Sequence, residues 1–559
     1  MSASTDPSRP VAPDPRGPQS PGDTTGRLPE GATRRAWVVI VTATLFAETA
    51  GLQYTMVSPA AIRIAPAFPG VGANIAWMTT IFALVGAVSA PLLGKSSDLW
   101  GKKRMLLVAG VLFLAGSLVC CLTHSWTAFL VGRALEAMAL GNTTVTYGLF
   151  RDLLPRRLVP TAVGFLATGF GLSALAAPLL SGWLLDHWSW RSIFWTMAGY
   201  GVVTMAGVLL LVPETRLRSR QRLDVLGALL LSGGLALSLL YLSEGHSWGW
   251  TSPAALGCLL GGPALLALFV LVERRVPEPL VDLRLLLGGR MLTTLSAALF
   301  GGIVLGLISY AMPLFLQTPT AARFTAQVRA AAVTQQHVPA ATASLLQVDF
   351  NSTLAFAGGL TLIGFALYGA LWQGGFAMAA GPVSGWLSGR IGPRRLLIGA
   401  GAFSAAGAAL FLTTTSHGVW FYALSGSVYG IGFGTLLATA PTLVMEAVPE
   451  RQQGVSTGMM SVVLSAGTAI GTAVVTAVIF ANPLIMRVRL GPQTVATVDL
   501  ARTGTLTTWH GAQLIYAIGI ASSLVALVIA IAMRHGRRPA TGGRAGEDQA
   551  AAPEASLAG

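Results

Sequence analysis

Two short stretches decide the fold of this chain: Gly94-Lys-Ser-Ser-Asp-Leu-Trp-Gly101-Lys-Lys-Arg104 and Gly385-Trp-Leu-Ser-Gly-Arg-Ile-Gly392-Pro-Arg-Arg395. Each stretch follows a long apolar run, carries two glycines at the same spacing and ends in basic residues. The two stretches lie 291 residues apart, and Leu140-Gly141 and Ile431-Gly432 keep that offset. The sequence therefore predicts two halves built on one plan, with the second half parallel to the first.

The composition predicts a membrane protein. Of the 559 residues, 53% are hydrophobic and only 10% are charged, and the mean hydropathy is +0.66. Ordinary soluble domains carry about 25% charged residues, so a soluble enzyme is excluded. The net charge of +14 is spread thinly between apolar runs, which argues against a nucleic-acid partner. Three cysteines show neither a disulfide pattern nor the spacing of metal ligands, and we expect no metal and no cofactor.

Fourteen apolar runs are long enough to cross a bilayer as helices, and we number them span 1 to span 14. They are residues 37–59, 75–93, 105–122, 126–149, 158–184, 191–212, 225–243, 254–272, 291–316, 357–387, 396–415, 419–444, 455–480 and 511–533. With the N-terminus in the cytoplasm, 28 Lys and Arg residues fall on the cytoplasmic side, 7 fall outside and Arg133 alone lies within a span. This bias predicts that both termini are cytoplasmic. Span 10 is too long for a simple crossing and is expected to be tilted, broken or partly interfacial.

The same pattern sets the expected domain boundaries. Residues 1–36 and 534–559 are predicted to be disordered cytoplasmic tails, because they are polar and rich in Pro, Gly, Ser or Ala. Residues 37–212 and 291–533 form the two six-helix bundles, and residues 213–290 hold the inserted spans 7 and 8. The long outside loop at 317–356 is predicted to be either a plain exposed insertion or a surface helix.

The first of the two stretches resembles the signature loop between spans 2 and 3 of the major facilitator superfamily. In that family the glycines allow a tight turn, while the acid and the cations hold neighbouring helix ends together in one conformation. The resemblance implies a conformational latch, in which Leu99 stands where the family usually has arginine. The residues that match are Gly94, Asp98, Gly101, Lys102, Lys103 and Arg104.

The resemblance extends to the fourteen-span drug:proton antiporters of the superfamily. The stretch from Trp188 to Phe194, Trp-Ser-Trp-Arg-Ser-Ile-Phe, is similar to one mark of that family. Span 5 has the spacing of the antiporter signature, in which small residues allow close helix approach and proline sets a bend. The matching residues are Gly164, Ser173, Ala177, Pro178, Ser181 and Gly182. The implied fold is all-α: two six-helix bundles with two additional helices between them.

Ionisable residues within the spans are the candidates for proton coupling. Arg133 and Glu136 lie three residues apart on span 4, so they can pair on one helix face. Glu48 lies on span 1, and spans 1 and 4 both line the cavity in relatives of this fold. We expect a Glu48–Arg133–Glu136 cluster, because charged residues within the membrane face a cavity or a partner. Where the related antiporters usually carry an aspartate in span 1, this chain has Gln53, so Glu48 must replace that acid if protons are coupled.

These observations predict a proton-coupled exporter of small amphipathic compounds, working by alternating access as a monomer in a bacterial cell membrane. An exporter of one endogenous metabolite, such as an antibiotic, siderophore or lipid, is the nearest alternative. A proton-coupled uptake symporter and a non-transporting membrane sensor or scaffold are also open. An enzyme is not expected, because the sequence has no nucleophile–base set, metal cluster or nucleotide-binding loop.

Overall fold

Helices occupy all fourteen predicted positions. The computed structural model describes residues 27–29, 31–57, 60–69, 71, 75, 77–215, 224–276, 288–335, 337–354, 357–413, 419–448, 453–500 and 506–540. Spans 1 to 6 are Thr33–Ala47 with Thr49–Val57, Trp77–Trp100, Lys102–Leu122, Trp126–Ala137 with Asn142–Leu153, Val159–His187 and Arg191–Leu211. Spans 7 and 8 are Val225–Trp248 and Pro253–Glu273. Spans 9 to 14 are Gly289–Gln317, Leu371–Ile391, Pro393–Leu412, Val419–Ala447, Gln453–Ala481 and Trp509–Ala532.

Eleven of these helices are long and apolar enough to cross a membrane, within the described part of the chain. Spans 4, 7 and 10 are the others. Span 4 is interrupted by a 3₁₀ turn at Met138–Gly141, and the apolar part of span 7 is limited to Leu226–Leu242. The helical membrane fold is confirmed, whereas the count of fourteen crossings stays a prediction.

Span 10 is broken, which is one of the three arrangements that its length predicted. A short helix at Leu362–Phe365 leads into a π-helical turn at Ala366–Ala370, and the regular helix begins at Leu371. Single π turns insert one extra residue into the helical hydrogen-bond pattern and so redirect the helix. The extra length of the predicted run is absorbed by this irregular entry.

The two halves meet along two helix pairs that the internal repeat relates to each other. Span 5 packs against span 10, and span 2 packs against span 13. Glycines make the first contact close: a Cβ added at Gly381 would lie 2.5 Å from the carbonyl oxygen of Gly164, and one added at Gly374 would lie 2.7 Å from that of Gly171. Since backbones touch along this seam, larger side chains on either helix would separate the halves.

The inserted spans 7 and 8 pack against one side of the molecule, on spans 2 and 13. Trp248 at the end of span 7 lies 6.3 Å from Trp77, measured between ring centroids. Thr80 on span 2 donates a hydrogen bond of 2.9 Å to Glu244 on span 7. A small apolar cluster that includes Phe269 and Met459 joins this hairpin to span 13. Spans 7 and 8 therefore cover the second seam between the halves.

The loop at 317–356 is structured, so the plain exposed insertion is wrong and the surface helix is right. A helix at Ala321–Gln335 and a short one at Ala340–Ser344 precede strand β1, Leu346–Phe350. This strand pairs antiparallel with β2, Ile485–Leu490, which pairs in turn with β3, Gln493–Asp499. The side chains of Ala332, Ala343, Leu346, Met486 and Val488 form a buried core of their own. Among the described residues, this small α/β cap is where the fold departs from the predicted all-α class.

Parts of the two predicted tails are ordered. Leu28 is buried, and its backbone N–H donates to the carbonyl of Leu153 at 2.8 Å. Span 1 begins at Thr33, so the predicted tail extends too far; residues 1–26 lie outside the described residues. At the other end, residues 533–540 pack on the loop between spans 10 and 11, whereas 541–559 lie outside the described residues. Both corrections have one cause: backbone hydrogen bonds to helix ends order segments that have a polar composition.

Candidate functional site

Glu48 lies at an irregular turn in the middle of span 1, between the helices that end at Ala47 and begin at Thr49. Its side chain is 2% exposed. Ser173 on span 5 donates a hydrogen bond of 2.8 Å to Oε2, while Oε1 is buried and accepts none from the described residues. A Cβ on Gly169 would overlap this carboxyl group, so the glycine makes the room that the acid occupies. Glu48 is thus a carboxyl group enclosed between spans 1 and 5.

Arg133 and Glu136 form the predicted pair on span 4. Nη1 of Arg133 lies 2.5 Å from Oε2 of Glu136, and both side chains are fully buried. The Nε of Arg133 also donates to the carbonyl of Met78 at 3.2 Å, and its guanidinium carbon lies 4.3 Å from the ring centre of Phe82. These contacts fix the cation between spans 2 and 4.

Glu136 has two further donors, neither of which the sequence analysis predicted. Gln53 Nε2 and Ser117 Oγ each donate to Oε1 of Glu136 at 2.7 Å. Together with Arg133, three side chains from spans 1, 3 and 4 donate to one carboxylate, and such donors favour its charged form. Gln53 thus holds span 1 to the ion pair.

The predicted three-residue cluster does not form. Among the described residues, no hydrogen bond or ion pair joins Glu48 to Arg133 or Glu136. Gln53, which does reach Glu136, comes five residues after Glu48, a distance of about 7 Å along a helix. The structure therefore separates the two acids: Glu136 belongs to an ion pair, and Glu48 contacts a serine hydroxyl.

The predicted latch is mostly helical rather than a loop. Span 2 continues through Gly94 and Asp98 to Trp100, and the turn is made by Gly101 alone, with φ of +103°. Ser97 Oγ donates to the carbonyl of Gly94 at 2.7 Å. A residue with a side chain would be strained at this φ, and its Cβ would also meet the Glu214 carboxylate at 2.9 Å. Gly101 therefore allows span 3 to start directly after span 2.

Lys102 is the centre of the predicted latch. It is 1% exposed, and its Nζ lies 3.0 Å from Oδ1 of Asp98 and 2.7 Å from Oδ2 of Asp152 at the end of span 4. Arg151 pairs with the other oxygen of Asp152 at 2.5 Å. This buried network joins the ends of spans 2, 3 and 4, all within the first half.

Lys103 and Arg104 face the segment that follows span 6. The backbone N–H of Lys103 donates to Oε1 of Glu214 at 3.2 Å, and Nε of Arg104 lies 3.8 Å from Oε2 of the same group. A carboxylate at the first turn of span 3 is favourable, because the free N–H groups there carry partial positive charge. Glu214 was not singled out by the sequence analysis.

The repeated loop in the second half is covered in a corresponding way by the C-terminal segment 533–540. Gly392 has φ of +88°, and the Gly536 carbonyl accepts from the backbone N–H of Arg394 at 3.0 Å. His535 is hydrogen-bonded to Thr294 at the start of span 9, at 3.0 Å. Burial, and secondarily the nearby charge of Arg290, lower the pKa of His535 to about 4. In both halves, the chain that leaves the sixth helix packs on the glycine turn.

The residues of the span 5 motif contact two different helices, span 1 and span 10. Ser173 and Ser181 contact span 1, since Ser181 Oγ donates to the Met56 carbonyl at 2.8 Å while Ser173 holds Glu48. Gly164 faces span 10 across the seam. Ala177 and Pro178 are buried between these contacts, and Gly182 is half-buried. The motif therefore joins the candidate acid to the interface between the halves.

No group of three or more His, Cys, Asp or Glu side chains that could hold a metal ion occurs in the described part of the chain. The arrangement offers a buried carboxyl group, a buried ion pair and a seam of close helix contacts.

Comparison with known proteins agrees with this architecture. Residues 44–472 match the model of the Major Facilitator Superfamily. The uncharacterized MFS-type transporter YvkA of Bacillus subtilis is 26% identical over 435 residues, which cover 77% of this chain and 88% of that protein. The human organic anion transporter MFSD10 has a similar structure, with a TM-score of 0.54 at 14% identity, covering 89% of this chain and 99% of that one.

Two relatives with functional names match shorter regions. The probable actinorhodin transporter of Streptomyces coelicolor is 31% identical over 258 residues, 44% of each chain. Multidrug resistance protein 3 of Bacillus subtilis is 25% identical over 247 residues, 44% of this chain and 48% of that protein. The chain thus matches about half the length of these two proteins. With the family model matched over most of its length, the chain belongs to the Major Facilitator Superfamily and is a multi-pass membrane transporter.

Proposed function

We propose that this transporter exports small amphipathic compounds in exchange for protons, with Glu48 as the proton carrier. The observation that carries the proposal is the environment of Glu48: a buried carboxyl group with one hydroxyl donor and no cation partner among the described residues. A charge there is costly in an apolar medium, so the protonated form is favoured when the site is closed. Exposure of the site to water would favour release of the proton.

Glu136 is the contrasting acid. Its three donors, Gln53, Ser117 and Arg133, stabilise the carboxylate, so it is suited to a fixed structural charge rather than to proton exchange. Two acids that differ in their number of hydrogen-bond donors and in the presence of a cation partner can divide the roles of carrier and fixed charge. This division supports Glu48 over Glu136 as the carrier.

The position of Glu48 supports coupling to movement. Its partner Ser173 is on span 5, and the same helix forms the close seam with span 10 of the other half. In alternating access the halves rock against each other, so a shift of span 5 at the seam would change the hydrogen bond to Glu48. We propose that proton loss and gain at Glu48 follow this movement.

The direction and setting of transport are part of the proposal. Relatives named as a multidrug resistance protein and as an actinorhodin transporter support export. The bias of basic residues supports a cell-membrane orientation with both termini in the cytoplasm. We propose a bacterial transporter that works as a monomer in the lipid bilayer, with protons and an amphipathic substrate as its partners and no nucleic acid.

Proton flux in proteoliposomes tests the proposal. Purified protein is reconstituted with a pH-sensitive dye inside, a pH gradient is imposed, and ethidium is added as the amphipathic probe. We expect ethidium-triggered proton flux in the wild type and its loss in Glu48→Gln. Glu244→Gln is the matched control, because Glu244 is also buried and accepts a hydroxyl hydrogen bond, from Thr80, and it should keep the flux.

Flux that survives Glu48→Gln would exclude Glu48 as the carrier. A second candidate function, export of one endogenous metabolite, is favoured by the 31% identity to the actinorhodin transporter. It predicts flux with a single compound class and none with ethidium. Absence of protein-dependent transport with every cationic, neutral and anionic amphiphile would instead support a sensor or scaffold.

A further inference from the structure

The two glycine turns differ in how their basic residues are compensated. At the first turn, Asp98 and Asp152 form ion pairs with Lys102. The Glu214 carboxylate lies against the start of span 3. At the second turn, Gly389 stands where the repeat places Asp98, and a backbone carbonyl group accepts from an N–H at the start of span 11. Among the described residues, no ion pair at the second turn corresponds to those at the first.

Six exposed arginines surround the second turn, and we call them the arginine patch. They are at the start of span 9, the end of span 10, the start of span 11 and along segment 533–540: Arg290, Arg390, Arg395, Arg534, Arg537 and Arg538. No ion pair involves any of the six within the described part of the chain. Of the acids described in the second half, Asp349 and Asp499 are in the cap at the opposite end of the helices, which leaves Glu446 at this end. The patch is therefore strongly positive.

Backbone contacts place the C-terminal segment directly on the second turn. A Cβ added at Gly392 would lie 2.8 Å from the carbonyl oxygens of both Arg537 and Arg538. Arg395 is in the first turn of span 11, directly after this glycine turn. The backbone N–H of Ala540 also donates to a carbonyl in the last turn of span 10, at 2.9 Å. Arginines from the segment and from span 11 thus lie side by side.

The start of span 9 joins the same surface. His535 is hydrogen-bonded to Thr294 at 3.0 Å, and the charge of the nearby Arg290 acts on its imidazole. Arg534 is the residue before His535. Segment 533–540 therefore links spans 9, 10 and 11, and it gathers their arginines on one surface.

An aromatic side chain places the patch at the level of the lipid headgroups. Trp386 is 47% exposed near the end of span 10, and the Arg390 guanidinium carbon lies 3.9 Å from the centre of its ring. Tryptophan side chains concentrate at the boundary between the apolar core of a bilayer and its headgroups. Ile531, which is 52% exposed, is in the last turn of span 14, and Arg534 follows it closely. The arginines therefore lie just beyond the apolar surface, where lipid phosphate groups are found.

We propose that the arginine patch binds the headgroups of anionic phospholipids. Clusters of about four to eight basic residues directly after membrane helices attract anionic lipids, and arginine donors fit phosphate oxygens. A headgroup bound between Arg395 and the Arg537–Arg538 pair would hold segment 533–540 on the second glycine turn. This site is in the second half, so it is independent of the proposed proton coupling at Glu48.

Lipid binding to the full-length protein in non-ionic detergent tests the proposal. Energy transfer from the protein tryptophans to phosphatidylglycerol with a dansyl label on its acyl chain reports binding. Unlabelled phosphatidylglycerol, phosphatidylcholine and inorganic phosphate are the competitors, and only the first should compete well. We expect the Kd for phosphatidylglycerol to rise about 25-fold in Arg537→Gln/Arg538→Gln, because each basic residue near an anionic surface contributes about a fivefold factor.

Two further variants serve as controls. Arg63→Gln/Arg487→Gln removes the same charge from exposed positions at the opposite end of the molecule, and its Kd should stay within about twofold of the wild type. Arg537→Lys/Arg538→Lys keeps both charges, so its Kd should stay within about threefold. Hydrogen exchange gives a second readout: the lipid should slow exchange in segment 533–540 of the wild type and leave it unchanged in the glutamine variant.

Several results would overturn the proposal. One is an unchanged Kd in Arg537→Gln/Arg538→Gln, and another is an equal loss in Arg63→Gln/Arg487→Gln, which would reveal a general effect of net charge. An equal loss in the lysine variant would show that positive charge is not the basis of binding. Equal competition by phosphatidylcholine would exclude selection of anionic lipid. Equal competition by inorganic phosphate would assign the patch to a soluble anion instead of a membrane lipid.

Discussion

Replacement of Lys102 by methionine should strongly destabilise the first half. Lys102 is 1% exposed, and its ammonium group lies 3.0 Å from the Asp98 carboxylate and 2.7 Å from that of Asp152. Methionine has a similar length, so the change removes the charge with little change in packing. Loss of one partner from a buried ion pair costs about 3–5 kcal/mol, because the other charge is left uncompensated. In the variant, Asp152 still forms its ion pair with Arg151, whereas no second ion-pair partner of Asp98 is seen among the described residues. Most of the loss in stability therefore comes from the buried Asp98 carboxylate.

The neighbouring lysine is the matched control. Nζ of Lys103 donates to the Leu209 carbonyl at 2.7 Å from an exposed position, so Lys103→Met should cost about 1 kcal/mol or less. The double variant Lys102→Met/Asp98→Asn should recover part of the loss, because it removes the uncompensated carboxylate. The free energy of unfolding in detergent is measured by denaturant titration with tryptophan fluorescence. Equal destabilisation by Lys102→Met and Lys103→Met would refute the reasoning from burial.

Two further predictions concern the seam and the C-terminal segment. Gly381→Val should force spans 5 and 10 apart, costing about 1–3 kcal/mol and abolishing ethidium transport, because even a Cβ there lies 2.5 Å from the Gly164 carbonyl. Gly375→Val, at a glycine with nothing within 4 Å of an added Cβ, should leave melting temperature and transport unchanged, and equal effects of the two would contradict the prediction. The packing of residues 533–540 should be fully stable above pH 6.5 and weaken as the pH falls toward 4. The pKa of His535 is lowered from its ordinary value of 6.5 to about 4 when the segment is packed. Between these two pH values the imidazole therefore binds a proton more readily when the segment is released, and protonation favours release. Hydrogen exchange of this segment should show that trend in the wild type and lose it in His535→Gln; protection that does not vary with pH in the wild type would contradict it.

The positions of the spans were predictable because length and apolarity are local properties of the sequence. The irregular turns within the spans were only partly predictable. Excess length revealed the irregular entry of span 10, but the 3₁₀ turn at Met138–Gly141 leaves the apolar run of span 4 unbroken. The cap was missed because β1 and β2 are far apart in sequence, at Val348 and Val488 for one pair, and neither strand alone distinguishes a sheet from a loop.

The contacts within the candidate site also divide into those that the sequence predicts and those that it does not. The Arg133–Glu136 pair follows from helical spacing on one span, and the structure contains it. The contacts Ser173–Glu48 and Gln53–Glu136 join different spans, and only helix packing sets them. One signal was available: Ser173 and Ser181 are eight residues apart in a mostly apolar helix, so they share a face, and both contact span 1.

The absence of an acid at position 53 is consistent with the geometry around Glu136. The amide of Gln53 donates to Oε1 of Glu136 at 2.7 Å, and a carboxylate in its place would put two negative charges in contact beside one Arg133. Like charges at that distance cannot both stay ionised in a buried site. Here the amide satisfies the fixed ion pair, and the second acid lies five residues earlier, against the hydroxyl of Ser173. An acid at Glu48 can then change protonation state without disturbing the pair that holds spans 1, 3 and 4 together. The glutamine at 53 and the glutamate at 48 are therefore two parts of one arrangement, in which the fixed charge and the proposed proton site occupy separate places on span 1.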